Sequence, residues 1–343
     1  MANANKTIEH YIYSGNPSYV FKVSTARKYL RYRDFLTYGS QLVPRRIGSE
    51  TWALAWAYIR QVDDILDNPK MTIEKCNEFL ENEIQVVIDS FNNTYEFKPG
   101  SPLRHLWANQ FIDNVYKYYD DRIRKVVWDL YESAVLDIKR KSKVLNTKEM
   151  RKLLYKKAVC FFKLYFLLGK FDFGKYLNDL AETLGLALGM LDDALDIIYD
   201  HKSKYINITK EELMELGINA DPNDKYFIKQ LIRKGYYDYK SYQIMRLLLK
   251  ARKLARKIRS IYLRSLILRL TEVFASPILE GRFLPGQQYL FKGGKYLKAI
   301  LPENEMVAYK IGHQIMKVAL LFPQTFPGLF NAFFKTKIPK TKN

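Results

Sequence analysis

The chain has 343 residues, is 48% hydrophobic and 15% aromatic, and carries 56 Lys and Arg against 36 Asp and Glu, a formal net charge of +20. That apolar fraction excludes a wholly disordered chain, and 16 Gly with 12 Pro are too few for a collagen-like, low-complexity or turn-rich all-β sequence. Cys76 and Cys160 cannot build a disulfide framework or a cysteine metal site, and His10, His105, His201 and His313 lack ligand spacing, so a reducing cytoplasm is the expected compartment.

In chain order, the first residues have no apolar core of the signal-peptide kind. Nearly every later segment repeats its apolar residues at a helical period. Helices are predicted over residues 49–67, stopped by Asn68-Pro69, and over 73–91. A loop over 92–101 leads to helices over 103–119, 122–141 and 147–168, the last opened by Asn146 with Glu149. A helix over 175–200 follows. Thr209 and Glu212 form a capping box for a short helix ending near Gly217, and Asp221-Pro222-Asn223-Asp224 is a turn. Helical period resumes over 226–274 with a break at Lys234-Gly235, and a last helix covers 303–322. The apolar stretch Val318 to Phe334 is broken by Pro323, Gln324 and Pro327, so no segment reads as membrane-spanning. The pattern is one all-α domain, with an N-terminal segment over 1–30, a helical domain over 31–279 and a basic helical extension over 280–343.

The positive charge points to a polyanionic partner. Its densest stretch, Arg246 to Leu270, holds nine Lys or Arg and no acid. It reads either as the solvated face of an amphipathic core helix or as a membrane-surface helix. The Phe- and Lys-bearing C-terminus suits peripheral contact with an anionic membrane. Without zinc-finger spacing or an aromatic RNA-binding strand, nucleic acid is disfavoured.

Two aspartate clusters share one form: Asp63-Asp64-Ile-Leu-Asp67, and Asp192-Asp193-Ala-Leu-Asp196 continuing to Asp200. With 19 Asp in the chain, chance supplies about 0.06 such triplets. Residues four apart share a helix face, so Asp63 lies over Asp67, and Asp192, Asp196 and Asp200 form a ladder. Stacked like charges among Leu, Ile and Ala are unfavourable unless a cation is present. An all-carboxylate site suits Mg²⁺ or Mn²⁺, which complete their shell with water and phosphate oxygens. Two such helices facing each other could clamp metals around a diphosphate; the plain alternative is a pair of solvated acidic helix ends.

The clusters and their surroundings resemble the squalene/phytoene synthase family of α-helical isoprenoid synthases. Its first motif, R-x-V-D-D-x-x-D, is similar to Arg60-Gln-Val62-Asp63-Asp64-Ile-Leu-Asp67, and Leu42 to Arg46 resembles the basic stretch before it. Its second motif is similar to Ala181-Glu-Thr-Leu184-Gly185-Leu-Ala187, then Asp192, Asp196 and Asp200, then Leu213 to Ile218. Asp137, Thr147 and the Tyr155–Val159 pair also fall where the family has similar residues. The match runs from Arg31 to Ile218 and more loosely to Phe274. It departs at Gly189, Asp192, Leu195 and Tyr199. It also departs where Cys160-Phe161-Phe162-Lys163 replace small residues that make room for prenyl chains.

The resemblance implies an isoprenoid-synthase helical bundle around a central cavity and a diphosphate-releasing enzyme. Asp63, Asp64, Asp67, Asp192, Asp196 and Asp200 would bind Mg²⁺ or Mn²⁺, with Asp63, Asp67 and Asp196 catalytic. Arg60 would meet the diphosphate, or else pair with Asp64. Arg33, Arg45 and Lys204 would be further diphosphate contacts, or surface charges. Tyr155 would handle a proton, or sit as a core tyrosine. The implied reaction is head-to-head condensation of two prenyl diphosphates, with NADPH needed only for a squalene-like product. The alternatives are a cyclase acting on one prenyl diphosphate, which the bulky Phe161 and Phe162 favour, and a non-catalytic descendant.

Overall fold

A computed structural model of the chain describes residues 18–33, 35–41, 45–68, 70–98, 100–171, 175–279, 302 and 304–321. The expectations for the first residues, for residues 280–301 and for the apolar C-terminus lie outside them. Every regular element among the described residues is helical: α1 (Tyr19–Arg33), α2 (Phe35–Ser40), α3 (Arg46–Leu66), α4 (Ile73–Phe91), α5 (Leu103–Tyr118), α6 (Asp121–Lys139), α7 (Thr147–Leu154), α8 (Cys160–Leu168), α9 (Lys175–Lys202), α10 (Lys210–Glu215), α11 (Phe227–Arg233), α12 (Tyr236–Ala255), α13 (Ile261–Leu279) and α14 (Glu305–Leu321). Between α7 and α8 the backbone makes one π turn, Tyr155–Val159. No described helix is long and apolar enough to cross a membrane.

The predicted caps form. Asn146 accepts from the Glu149 amide while Glu149 reaches back, and Thr209 and Glu212 do the same. Thr72 caps α4 through the Lys75 amide. Gly235, at φ 82°, takes the left-handed conformation that separates α11 from α12. A second break, Arg256 to Ser260, divides the basic stretch that the sequence pattern reads as continuous helix.

The described residues group into two compact units, and the boundaries at 127/128 and 164/165 fall inside α6 and α8 rather than in linkers. The first unit comprises described residues of Met1–Val127, Tyr165–Phe171 and Ile300–Met316. Its centre is α3, which packs against α1, α2, α4 and α5. Trp52 is wholly buried, donates to the Thr37 carbonyl at 2.9 Å and meets the edge of Tyr165 at 5.2 Å. The buried stripe of α1 is half cationic. Arg27 donates to Gln41 at 2.7 Å and Ser49 at 3.0 Å and lies 3.8 Å from the Tyr309 ring centroid. Arg31 pairs with Glu305 at 2.9 Å, with both side chains 4% exposed. These contacts fasten the start of α14 to α1.

In the second unit, comprising described residues of Trp128–Leu164, Asp172–Ala299 and Lys317–Asn343, α9 is the axis. It packs against α7, the π turn, α11, α12 and α13. Ala194, Ile197, Ile206, Ile208, Ile218, Phe227, Leu231 and Tyr236 form a core beneath its acidic end. Gly185 sets the distance to the π turn: a Cβ there would lie 2.4 Å from the Val159 Cα. At Gly189 the added carbon would meet Leu154 Cδ2 at 2.8 Å, the end of a flexible side chain.

Two stability measurements test these contacts. Glu305→Ala strands a buried guanidinium and is expected to cost about 3–5 kcal/mol in denaturant unfolding, whereas the double replacement Arg31→Met/Glu305→Leu costs much less. Equal losses would disprove the pairing. Gly185→Ala forces backbone apart and is expected to destabilise by about 1–3 kcal/mol, more than Gly189→Ala. The reverse order would contradict the close approach.

Candidate active site

The first aspartate cluster ends α3. Asp67 is the exposed C-cap and its amide closes on the Asp63 carbonyl at 2.8 Å. Asp63, partly buried, receives Arg60 Nη1 at 2.8 Å. Asp64 is gripped by Arg33 in a two-pronged ion pair, at 2.7 and 2.6 Å, and accepts from the Tyr29 hydroxyl at 2.9 Å. Arg60 Nε stands 3.6 Å from the same carboxylate. The hydrogen bonds to Asp64 raise the Arg33 pKa, and burial beside that carboxylate raises the Tyr29 pKa. Thus Arg33, Arg60, Asp63 and Asp64 come together as a charge-matched group. Arg45 is exposed just before α3.

The second cluster is less balanced. On α9, Asp192 is exposed while Asp193, Asp196 and Asp200 are partly buried. Burial pushes the Asp193 carboxyl up to about 7, against the pull of Arg140 and Lys240 and with the repulsion of Asp200 and Asp192. Burial likewise pushes Asp200 up to about 6, against Lys157 and with Asp192. The Asn207 side-chain Nδ2 donates to Asp200, and its side-chain Oδ1 accepts from Arg140 at 2.7 Å. Arg140 also donates to Asp137 at 2.6 Å, and Lys157 on the π turn donates to Asp137 at 3.1 Å. Burial alone would raise the Asp137 pKa, yet Lys157 and Arg140 pull it down to about 2. Lys240 is spent on buried Glu212 at 2.7 Å. Lys204 is exposed in the turn after α9, at φ 67°.

Tyr155 begins the π turn. Its hydroxyl accepts from Lys163 Nζ at 2.7 Å, and that ammonium lies 4.4 Å from the ring centroid. Phe161 and buried Phe162 pack edge to face at 5.1 Å. Asp193, Arg140, Lys157, Asn207 and the contact made by Lys163 were not among the sequence-predicted site residues. Asp193 was open to detection, since it lies seven residues before Asp200 on a shared face; the others come from separate elements.

The donor set suits a hard cation. It is all carboxylate oxygen, and burial together with like charges shifts Asp200 and the neighbouring Asp193 upward, a penalty that a divalent ion would relieve. Among the described residues no three His, Cys, Asp or Glu side chains are gathered as a ready metal cage. Mg²⁺ does not need one, because one or two carboxylates with water and substrate phosphate suffice.

No family model and no curated protein matches the sequence. Solved structures do match. One is a dehydrosqualene synthase in complex with a ligand, at a TM-score of 0.59 and 13% identity over 87% of this chain and 98% of that one. Another is squalene synthase HpnC from Alicyclobacillus acidocaldarius, at a TM-score of 0.60 and 15% identity over 78% of this chain and 97% of that one. At such identities the likeness establishes the fold, which is the all-α isoprenoid-synthase fold that the aspartate motifs imply.

A pH series tests the carboxyl environment. Folded, Asp193 holds its proton to about pH 7, and unfolded it loses it near about pH 4. The folded state therefore binds more protons between those values, and this group's contribution to stability falls as pH rises through them. Asp193→Asn is expected to raise the melting temperature of the metal-free protein by several degrees above pH 7 and to change it little at pH 4. No gain at high pH would remove the assigned environment.

Proposed function

We propose that the protein is a divalent-metal-dependent isoprenoid synthase that ionises allylic prenyl diphosphates and joins two of them head to head, as a squalene or phytoene synthase does. The observation that carries this reading is the acidic end of α9, where burial shifts Asp193 and Asp200 upward, set in a fold shared with a dehydrosqualene and a squalene synthase. Asp63 and Asp67 on α3, and Asp192, Asp196 and Asp200 on α9, are the carboxylates that would hold Mg²⁺ or Mn²⁺. Asp64 joins them in the motif, although its charge is already matched by Arg33. A bound divalent ion supplies Lewis-acid stabilisation of the departing diphosphate.

This chain's own residues supply the rest. Arg60 holds Asp63 in the resting protein and can turn its remaining guanidinium donors to diphosphate oxygens. Arg33, Arg45 and Lys204 are further cations for that anion. Asn207 and Arg140 fix Asp200, so it need not reorganise when charge develops. Tyr155 accepts from Lys163 and keeps its own hydroxyl proton to donate. NADPH enters only if the product is squalene-like. Cys76 and Cys160 are buried and not joined in a disulfide, which suits a reducing compartment.

One observation favours a second reading, a cyclase that closes a single prenyl chain. Buried Phe162, its partner Phe161 and the Lys163–Tyr155 contact stand where the family resemblance expects small residues. Bulk there shortens the room for a second chain.

Incubation with Mg²⁺ and farnesyl or geranylgeranyl diphosphate, followed by analysis of extracted hydrocarbons, separates the two readings. A double-length product or cyclopropyl diphosphate supports condensation, and a cyclic single-length product supports cyclisation. Absence of diphosphate release would refute both. Asp63→Ala and Asp196→Ala are each expected to lower diphosphate release by about 100-fold or more while helix content stays unchanged. Full activity in either variant would take that residue out of the site.

A further inference from the structure

We propose that the exposed face of α12, continued through the turn after it, docks on an anionic lipid bilayer. The buried positions of α12 are Tyr236, Lys240, Ile244, Leu248, Ala251 and Ala255, and they pack toward α9 and α13. The opposite face carries Tyr242, Arg246, Leu249, Lys250 and Lys253 at helical spacing, a stripe about 16 Å long. Exposed Arg256, Lys257 and Arg259 follow it in the turn after α12.

The sequence holds no acid between Asp238 and Glu272. Among the described residues none of these six cations makes an ion pair; Glu272, the nearest acid beyond, is taken by Arg252 and Arg269. Arg246 instead lies over the Tyr242 ring and Lys257 over the Tyr176 ring. Three unneutralised cations on one helix face and three more in the turn that follows complement a negatively charged surface.

The apolar residues among them choose which surface. Tyr242 is 66% exposed, Leu249 54% and Ile261 59%. Nucleic acid has no use for Leu and Ile between its phosphate contacts. A bilayer takes them at the level of its headgroups while the Lys and Arg meet the lipid phosphates. Vesicle binding is read without substrate, so this inference stands apart from the proposed catalysis.

The test is co-sedimentation of the full chain with vesicles of phosphatidylcholine alone or mixed with phosphatidylserine, at low and raised salt. Binding is expected only to the mixed vesicles and is weakened by salt. The triple variant Arg246→Glu/Lys250→Glu/Lys253→Glu is expected to bind at least about tenfold more weakly, with unchanged circular dichroism. Leu249→Ser is expected to weaken binding several-fold without altering its salt dependence. Equal binding to neutral vesicles, undiminished binding by the triple variant, or binding of single-stranded RNA in place of vesicles would overturn the proposal.

Discussion

A carboxylate removed from water must find positive charge or take up a proton, and the acidic end of α9 is arranged so that neither happens fully. Asp137, Asp193, Asp200 and Glu212 share Arg140, Lys157 and Lys240. Asp137 and Glu212 hold the nearest cations, which leaves Asp193 and Asp200 with carboxyls shifted toward neutrality. The core beneath this helix end is aliphatic and aromatic, so local packing gains nothing from acids here. The proposed divalent ion would relieve this deficit. The α3 cluster differs: Arg33 and Arg60 already balance Asp64 and Asp63.

Backbone geometry converts this chemistry into position. An α-helix places residues eight apart roughly 80° from one another around its axis. The wider π turn takes up most of that offset and brings Lys163 under Tyr155. The same turn presents Lys157 to Asp137. It can sit so near α9 only because residue 185 lacks a side chain. A single glycine thus couples the helix carrying the acids to the segment carrying the tyrosine and two lysines.

Most helices were legible because their buried faces are apolar at a regular period and their ends carry capping residues, as at Asn146 and Thr209. The pattern fails where burial is polar. In α1 the inward positions include Lys22, Arg27 and Arg31, so the period is present but written in cations, and residues 19–33 do not read as a core helix. The π turn was illegible because Tyr155–Val159 continues the α pattern on both sides. The break after Ala255 contains no Gly or Pro to mark it. At the sites, aspartate spacing revealed the acidic faces. Which acid is already paired depended on Arg33 and Asn207, brought in from other elements.

The overall charge and the acidic cluster oppose each other in a way that orders the proposed reaction. A field from +20 draws a diphosphate toward the protein at long range. At short range, the acidic residues clustered on α9 disfavour the same anion. In the proposed reaction, a divalent ion arriving at the carboxylates before or with the substrate would reconcile attraction at a distance with repulsion on contact. Arg140 and Lys157 supply part of the positive charge, while both also hydrogen-bond Asp137. On the proposed reading, substrate capture would depend on the cation load of α9, and the proposed docking face of α12 would set where the molecule meets its substrate.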